Sequence, residues 1–110
     1  MKSKHALLSA IASLILLTTA QTHAATYCGW IDDAKFGATL TDKDGPHGLS
    51  DPRDQPSADI ATKLQESMKE WPSCGCVTGK IGNTGDFDFI TGFTFKPIAA
   101  CQGDKSLEQR

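Results

Sequence analysis

The sequence has no excess of basic residues, and this lack argues against one broad function class at the outset. It contains 11 lysines and arginines against 13 aspartates and glutamates, which gives a formal net charge of −2. Proteins that bind nucleic acid need a basic surface to neutralise the phosphates. We therefore expect no nucleic-acid partner.

Motifs for catalysis and cofactor binding are missing as well. The chain has no Gly-x-Ser-x-Gly nucleophile elbow and no glycine-rich phosphate loop. Of its three histidines, only His47 lies beyond the first 24 residues, between a proline and a glycine that suggest a surface loop. No spacing singles out a carboxylate pair that could act as acid and base. The sequence predicts no catalytic residue and no cofactor.

A run of apolar residues long enough to span a membrane is also absent. Lys2 and Lys4 precede an apolar stretch over residues 6–17, whereas a membrane-spanning helix needs about 20 apolar residues. Small residues at Thr22 and Ala24 are typical of a signal-peptidase site. The pattern therefore predicts a cleaved secretory signal.

We accordingly divide the chain into a signal peptide over residues 1–24 and one domain over residues 25–110. Loss of the two signal lysines leaves nine basic and thirteen acidic residues, a formal net charge of −4. We expect the mature protein to be periplasmic or secreted, with no membrane span.

The mature chain has four cysteines, an even number that in an oxidising compartment favours two disulfides. Zinc is the alternative, but Cys74 and Cys76 are separated by one residue, and zinc knuckles have at least two. We expect no bound metal and no free thiol. The four are Cys28, Cys74, Cys76 and Cys101.

One clear helix is predicted over residues 57–71, where Ser57 can cap its start and Pro72 ends it. Its apolar residues recur every three or four positions and so share one face. Residues 32–56 are rich in Asp, Gly and Pro and are interpreted as an irregular loop. The apolar helix positions are Ile60, Leu64, Met68 and Trp71.

Strands are predicted over residues 27–31, 74–82 and 87–96. Aligning Ile81 with Phe89 places Val77 opposite Phe93 and gives one apolar face for the helix to cover. The fold class is then α+β, a small disulfide-stabilised domain whose short antiparallel sheet packs against one helix. The phenylalanines assigned to this apolar face are Phe87, Phe89, Phe93 and Phe95.

The same register puts Cys74 and Cys76 on the opposite face, too far apart for a bridge to each other. It favours the pairs Cys74–Cys101 and Cys28–Cys76, and the swapped pairing stays open. That second face, with Cys76, Ile90 and Thr94, is one surface that a partner could use.

Five short segments of the mature chain form a pattern when taken together. They are Cys28-Gly29-Trp30-Ile31-Asp32, Leu40-Thr41-Asp42-Lys43-Asp44-Gly45, Cys74-Gly75-Cys76-Val77, Lys96-Pro97-Ile98-Ala99-Ala100-Cys101 and Asp104-Lys105-Ser106-Leu107. The pattern resembles a family of small exported bacterial proteins, the domain of unknown function 4087. The resemblance implies an exported location and this cysteine pattern, and it implies no catalytic residue.

By elimination, we expect a non-enzymatic binding or inhibitor-like module whose partner is a protein of the cell envelope. Asp42, Asp44 and His47 form the candidate partner-contact loop, since binding residues concentrate in loops. The alternative is a small periplasmic hydrolase that uses carboxylates or His47.

Export makes the first testable prediction. We expect the protein recovered from the periplasm or medium to begin near Ala25, as N-terminal sequencing would show. A membrane-bound protein that still begins at Met1 would contradict a cleaved signal.

Overall fold

Five antiparallel strands form a single sheet in the order β3-β2-β1-β4-β5. The computed structural model describes residues 24–34, 37–49 and 54–110, so the predicted signal peptide, apart from Ala24, lies outside the described residues. The α+β class with an antiparallel sheet is confirmed, but the sheet is larger than the short one predicted. The strands are β1 Ala25–Ala34, β2 Gly37–Asp42, β3 Gly45–Gly48, β4 Ser73–Ile81 and β5 Phe87–Lys96. The helices are α1 Gln55–Ser67 and α2 Ile98–Gln102.

Strands β2 and β3 lie in the segment that was interpreted as a loop, and that interpretation is wrong. Ala38 and Leu40 of β2 are buried and alternate with more exposed residues, as in a strand with one face on the core. The turn signal itself is correct, because it joins β2 to β3. Asp44 N–H donates to Asp42 Oδ1 at 2.8 Å, and Gly45 has a φ of 115° that favours glycine.

The sheet is curled, because β3 at one edge contacts the turn before β5 at the other, and its strands approach closely at two glycines. Gly29 of β1 pairs with Gly75 of β4. A Cβ at Gly29 would overlap the carbonyl oxygen of Thr41, and one at Gly75 would lie 2.5 Å from the carbonyl oxygen of Thr94. The curl brings β3, at one edge of the sheet, up to the turn that leads into β5 at the other.

Helix α1 covers the concave face of the sheet and buries Ala61 and Leu64 in the main core. It ends at Ser67, four residues before the predicted end, because the backbone of Met68 is extended (φ −70°, ψ 129°). Trp71 therefore leaves the helical stripe and is 64% exposed. The prediction that Trp71 and Phe93 share one core is wrong for Trp71; Phe93 is partly buried and packs against the core.

Ser57 lies within α1, where it is buried, and it does not cap the helix. Its hydroxyl donates to the carbonyl oxygen of Ile90 at 3.1 Å and accepts the Ile90 N–H at 2.9 Å. Both bonds satisfy backbone groups of β5, the last strand of the sheet. These bonds attach α1 to an edge strand whose backbone N–H and C=O groups at Ile90 would otherwise have no partner in the sheet.

The β4–β5 register agrees with the prediction at one end and differs at the other. Val77 pairs with Phe93 as predicted, but Ile81 pairs with Phe87 and not with Phe89. Two irregularities each insert an extra residue into β5, and each reverses which side chains face the core. Ile90 is consequently buried in the main core, so the predicted second face does not include it.

The convex face carries both disulfides, Cys28–Cys76 and Cys74–Cys101. This is the pairing that the predicted register favoured, and all four cysteines are bridged. A second apolar cluster surrounds the Cys74–Cys101 bridge and includes Trp30 and Leu107. Helix α2 and the residues after it thus cover part of this face.

The chain after α2 is fastened to Trp30. Its indole Nε1–H donates to the carbonyl oxygen of Glu108 at 2.9 Å, and the Arg110 guanidinium lies 5.7 Å from the ring centroid. Arg110 also pairs with Asp32. A cation above an indole is attracted by the electron density of the ring. These contacts hold the end of the described chain against β1.

The unequal burial of two aromatic residues makes the second prediction. Phe87 is 3% exposed, so Phe87→Ala should lower the free energy of unfolding by about 3–5 kcal/mol. Trp71→Ala should change it by less than about 1 kcal/mol, because exposed side chains contribute little. Urea unfolding would measure both, and a loss at Trp71 as large as at Phe87 would contradict this packing.

Candidate functional site

The three predicted partner-contact residues lie on or beside the β2–β3 hairpin. Asp42 ends β2, Asp44 lies in the turn, and His47 is in β3. The Asp42 and His47 side chains are each 9% exposed, whereas that of Asp44 is 67% exposed. The prediction that His47 is a surface loop residue is therefore wrong. Only the Asp44 side chain projects to where a partner could contact it.

His47 is held at both nitrogens of its ring. Nδ1 lies 2.5 Å from the carbonyl oxygen of Gly85, in the turn before β5, and Nε2 lies 2.9 Å from Asp42 Oδ1. The neighbouring Gly48 N–H donates to Asp86 Oδ1 at 2.7 Å. We call these contacts between β3 and residues 82–86 the seam, because they join the two ends of the curled sheet.

The surroundings of His47 raise the pKa of its imidazole above the ordinary value. Burial by itself would lower that pKa, because it disfavours a charge. The hydrogen bonds to Gly85 and Asp42 and the negative charges of Asp42 and Asp44 outweigh burial. The site therefore favours the protonated ring.

Two aromatic rings enclose the imidazole on its core side. The centroids of Tyr27 and Phe87 lie 6.4 Å and 6.2 Å from that of His47, and Phe87 meets it edge to face. Tyr27 and Phe87 are themselves 5.6 Å apart. A general base needs an accessible lone pair, and both nitrogens of this enclosed ring already face acceptors. The contacts of the His47 ring therefore suit a structural role.

Other carboxylates also serve local structure. Asp104 accepts the hydroxyl and N–H of Ser106, which lowers the pKa of Asp104. Asp86 accepts the Gly48 N–H at the seam. Within residues 24–34, 37–49 and 54–110, no group of three or more His, Cys, Asp or Glu side chains is arranged to hold a metal ion.

A second candidate site, at the other end of β5, was not predicted. Trp71 and Phe95 are the large apolar side chains exposed among the described residues, at 64% and 37%. Phe95 lines a pocket of about 290 Å³, Trp71 lines another of about 250 Å³, and Glu70 borders both. We call Glu70, Trp71 and Phe95 the aromatic end.

Sequence reasoning missed the aromatic end because Trp71 continued the helical spacing from Met68. Pro72 was consistent with a helix ending at any residue just before it. Phe95 was assigned to the covered face, but it lies near the end of β5, where it is 37% exposed. Lys69 and Lys96 also line the Phe95 pocket.

The predicted second face is only partly available to a partner. Cys76 is 6% exposed and its sulfur is bridged to Cys28, and Ile90 faces the core. Thr94 is exposed as expected.

Comparisons with known proteins give no assignment. No protein-family model, curated protein or solved structure matches the chain. The resemblance to the domain of unknown function 4087 family thus stays a prediction. None of the helices in the described ranges combines the length and apolar character that crossing a membrane requires.

Asp42 and Asp44 provide the third prediction. Asp42→Ala should lower the free energy of unfolding by about 1–3 kcal/mol near pH 6, because it leaves the largely buried Nε2 of His47 without its hydrogen-bond partner. Asp44→Ala should change it by less than about 1 kcal/mol, since the Asp44–Lys43 ion pair is exposed. Urea titrations of both variants would test this, and equal effects would contradict a structural role for Asp42.

Proposed function

We propose that this chain is a non-enzymatic binding protein of the cell envelope, inhibitor-like in action, which contacts a protein partner through its aromatic end. The observation that carries the proposal is the exposure of Trp71 and Phe95 beside two pockets. Tryptophan is enriched among the residues that dominate binding energy at protein interfaces. Exposed aromatic surface next to pockets therefore supports recognition of a partner at this end.

The scaffold beneath the aromatic end favours binding because it is already fixed. Cys74 lines the same pocket as Phe95 and is bridged to Cys101. Phe95 itself meets Phe93 edge to face at 5.5 Å. A surface that is ordered before association loses less conformational entropy when it binds. This supports recognition by a rigid surface.

The alternative, a periplasmic hydrolase using carboxylates or His47, has less support. The imidazole of His47 is largely buried between Asp42 and Gly85. Asp86 and Asp104 are hydrogen-bonded to groups in their own neighbourhoods. A nucleophile or water molecule would have to displace the contacts of His47 to reach its ring nitrogens.

Export is part of the same proposal. Two disulfides and the absence of a membrane-spanning helix in the described ranges are compatible with an oxidising location outside the cytoplasm. The resemblance to the domain of unknown function 4087 family supports the same compartment. Asp44 stays a candidate second contact because its side chain is exposed.

Site-specific photocrosslinking in living cells makes the fourth prediction. A photoreactive phenylalanine analogue at Trp71 or Phe95 should yield a crosslinked protein of one defined mass. The same analogue at Thr84, which is exposed in the turn before β5, is the matched control and should yield none. Irradiation at position 44 would test the second contact separately.

Two results would argue against the proposal. One is a crosslinking pattern that is the same at positions 71, 95 and 84. The other is turnover of an envelope polymer by the purified protein that is lost in His47→Gln or Asp86→Asn, which would favour the hydrolase.

A further inference from the structure

The contacts of His47 define its protonation state. A carbonyl oxygen only accepts hydrogen bonds, so Nδ1 must carry the hydrogen that it donates to Gly85. The Asp42 carboxylate accepts in the same way, so Nε2 must carry a hydrogen too. An imidazole with both nitrogens protonated is a cation. The geometry of the seam therefore requires His47 in its charged form.

We propose that His47 is a proton-controlled clasp: as a cation it fastens β3 to the turn before β5, and on losing a proton it releases that turn and opens the seam. The seam joins the two ends of the curled sheet through contacts of His47 and Gly48 with Gly85 and Asp86. Opening the seam moves β3 away from the turn before β5. These two elements belong to opposite edges of the sheet.

Charge determines which of the two ring contacts of His47, to Asp42 or to Gly85, is lost on deprotonation. A neutral ring keeps one N–H, and the other nitrogen then presents a lone pair to its former acceptor. A lone pair is repelled more strongly by the Asp42 carboxylate than by the Gly85 carbonyl, because the carboxylate has a full negative charge. The remaining hydrogen therefore stays on Nε2. The contact that is lost is the one across the seam, to Gly85.

The charged and titratable groups around His47 set the direction of the pH response. Asp42 faces it from β2, Asp44 from the turn, Tyr27 from β1, and Asp86 binds the adjacent Gly48 across the seam. The folded protein raises the pKa of His47 above its value in the unfolded chain. The contribution of the clasp to stability is thus complete below the unfolded pKa and is lost as pH rises through the folded pKa.

NMR of the protein as recovered from cells tests the clasp. At pH 5.5 the ring ¹⁵N shifts of His47, assigned through contacts to Tyr27 and Phe87, should show both nitrogens protonated. Water exchange of the Gly48 amide should be compared with that of Gly103, whose N–H donates to Ala99 in α2. The Gly48-to-Gly103 exchange ratio should rise at least tenfold between pH 6 and 9, with the midpoint at the His47 titration.

Two variants keep the test decisive. In His47→Gln the exchange ratio should not vary with pH. Asp44→Asn removes an exposed charge that raises the pKa of His47, so it should move the titration and the exchange midpoint together to lower pH. One unprotonated ring nitrogen at pH 5.5, a His47 titration that leaves the ratio unchanged, or an Asp44→Asn shift in only one midpoint would overturn the proposal.

Discussion

The curvature of one five-stranded sheet is the constraint on which the other features depend. A sheet of this size has two faces to cover, and a chain of 110 residues has little sequence with which to cover them. The strands approach each other closely at Gly29 and Gly75, and α1 packs its buried residues into the main core. Closing the curl brings His47 against Gly85. The packing of the core and the contacts of the histidine are thus consequences of one geometry.

The convex face needs a different solution, because its apolar cluster is small. Trp30 and Leu107 are buried there beside the Cys74–Cys101 bridge, and the chain around Glu108 is tied to the indole of Trp30. Each disulfide contributes about 2–4 kcal/mol, mainly by restricting the unfolded chain. Covalent bonds thus supplement apolar burial on the side where burial is limited.

The parts of the fold that were predicted correctly rest on local periodicity, and the errors arise where tertiary contacts override it. Val77 opposite Phe93 follows from alternation, but irregularities in β5 reverse the alternation and move Ile90 into the core. Polar residues around the turn between β2 and β3 hid the alternating pattern of β2 in the sequence. The burial of His47 depends on Gly85, 38 residues away, and no short-range pattern reports such a contact.

The two candidate sites differ in how far the fold already uses their side chains. The described residues contain no buried side-chain nitrogen or oxygen without a hydrogen-bond partner, and His47 contributes to this by satisfying Asp42 and Gly85. The ring nitrogens of His47 already make hydrogen bonds within the fold, so a partner could use them only after those bonds were broken. The Trp71 side chain, in contrast, is 64% exposed to water. Covering that surface would gain free energy without disrupting a folded contact, which is why we propose the aromatic end, and not the hairpin of His47, as the binding site.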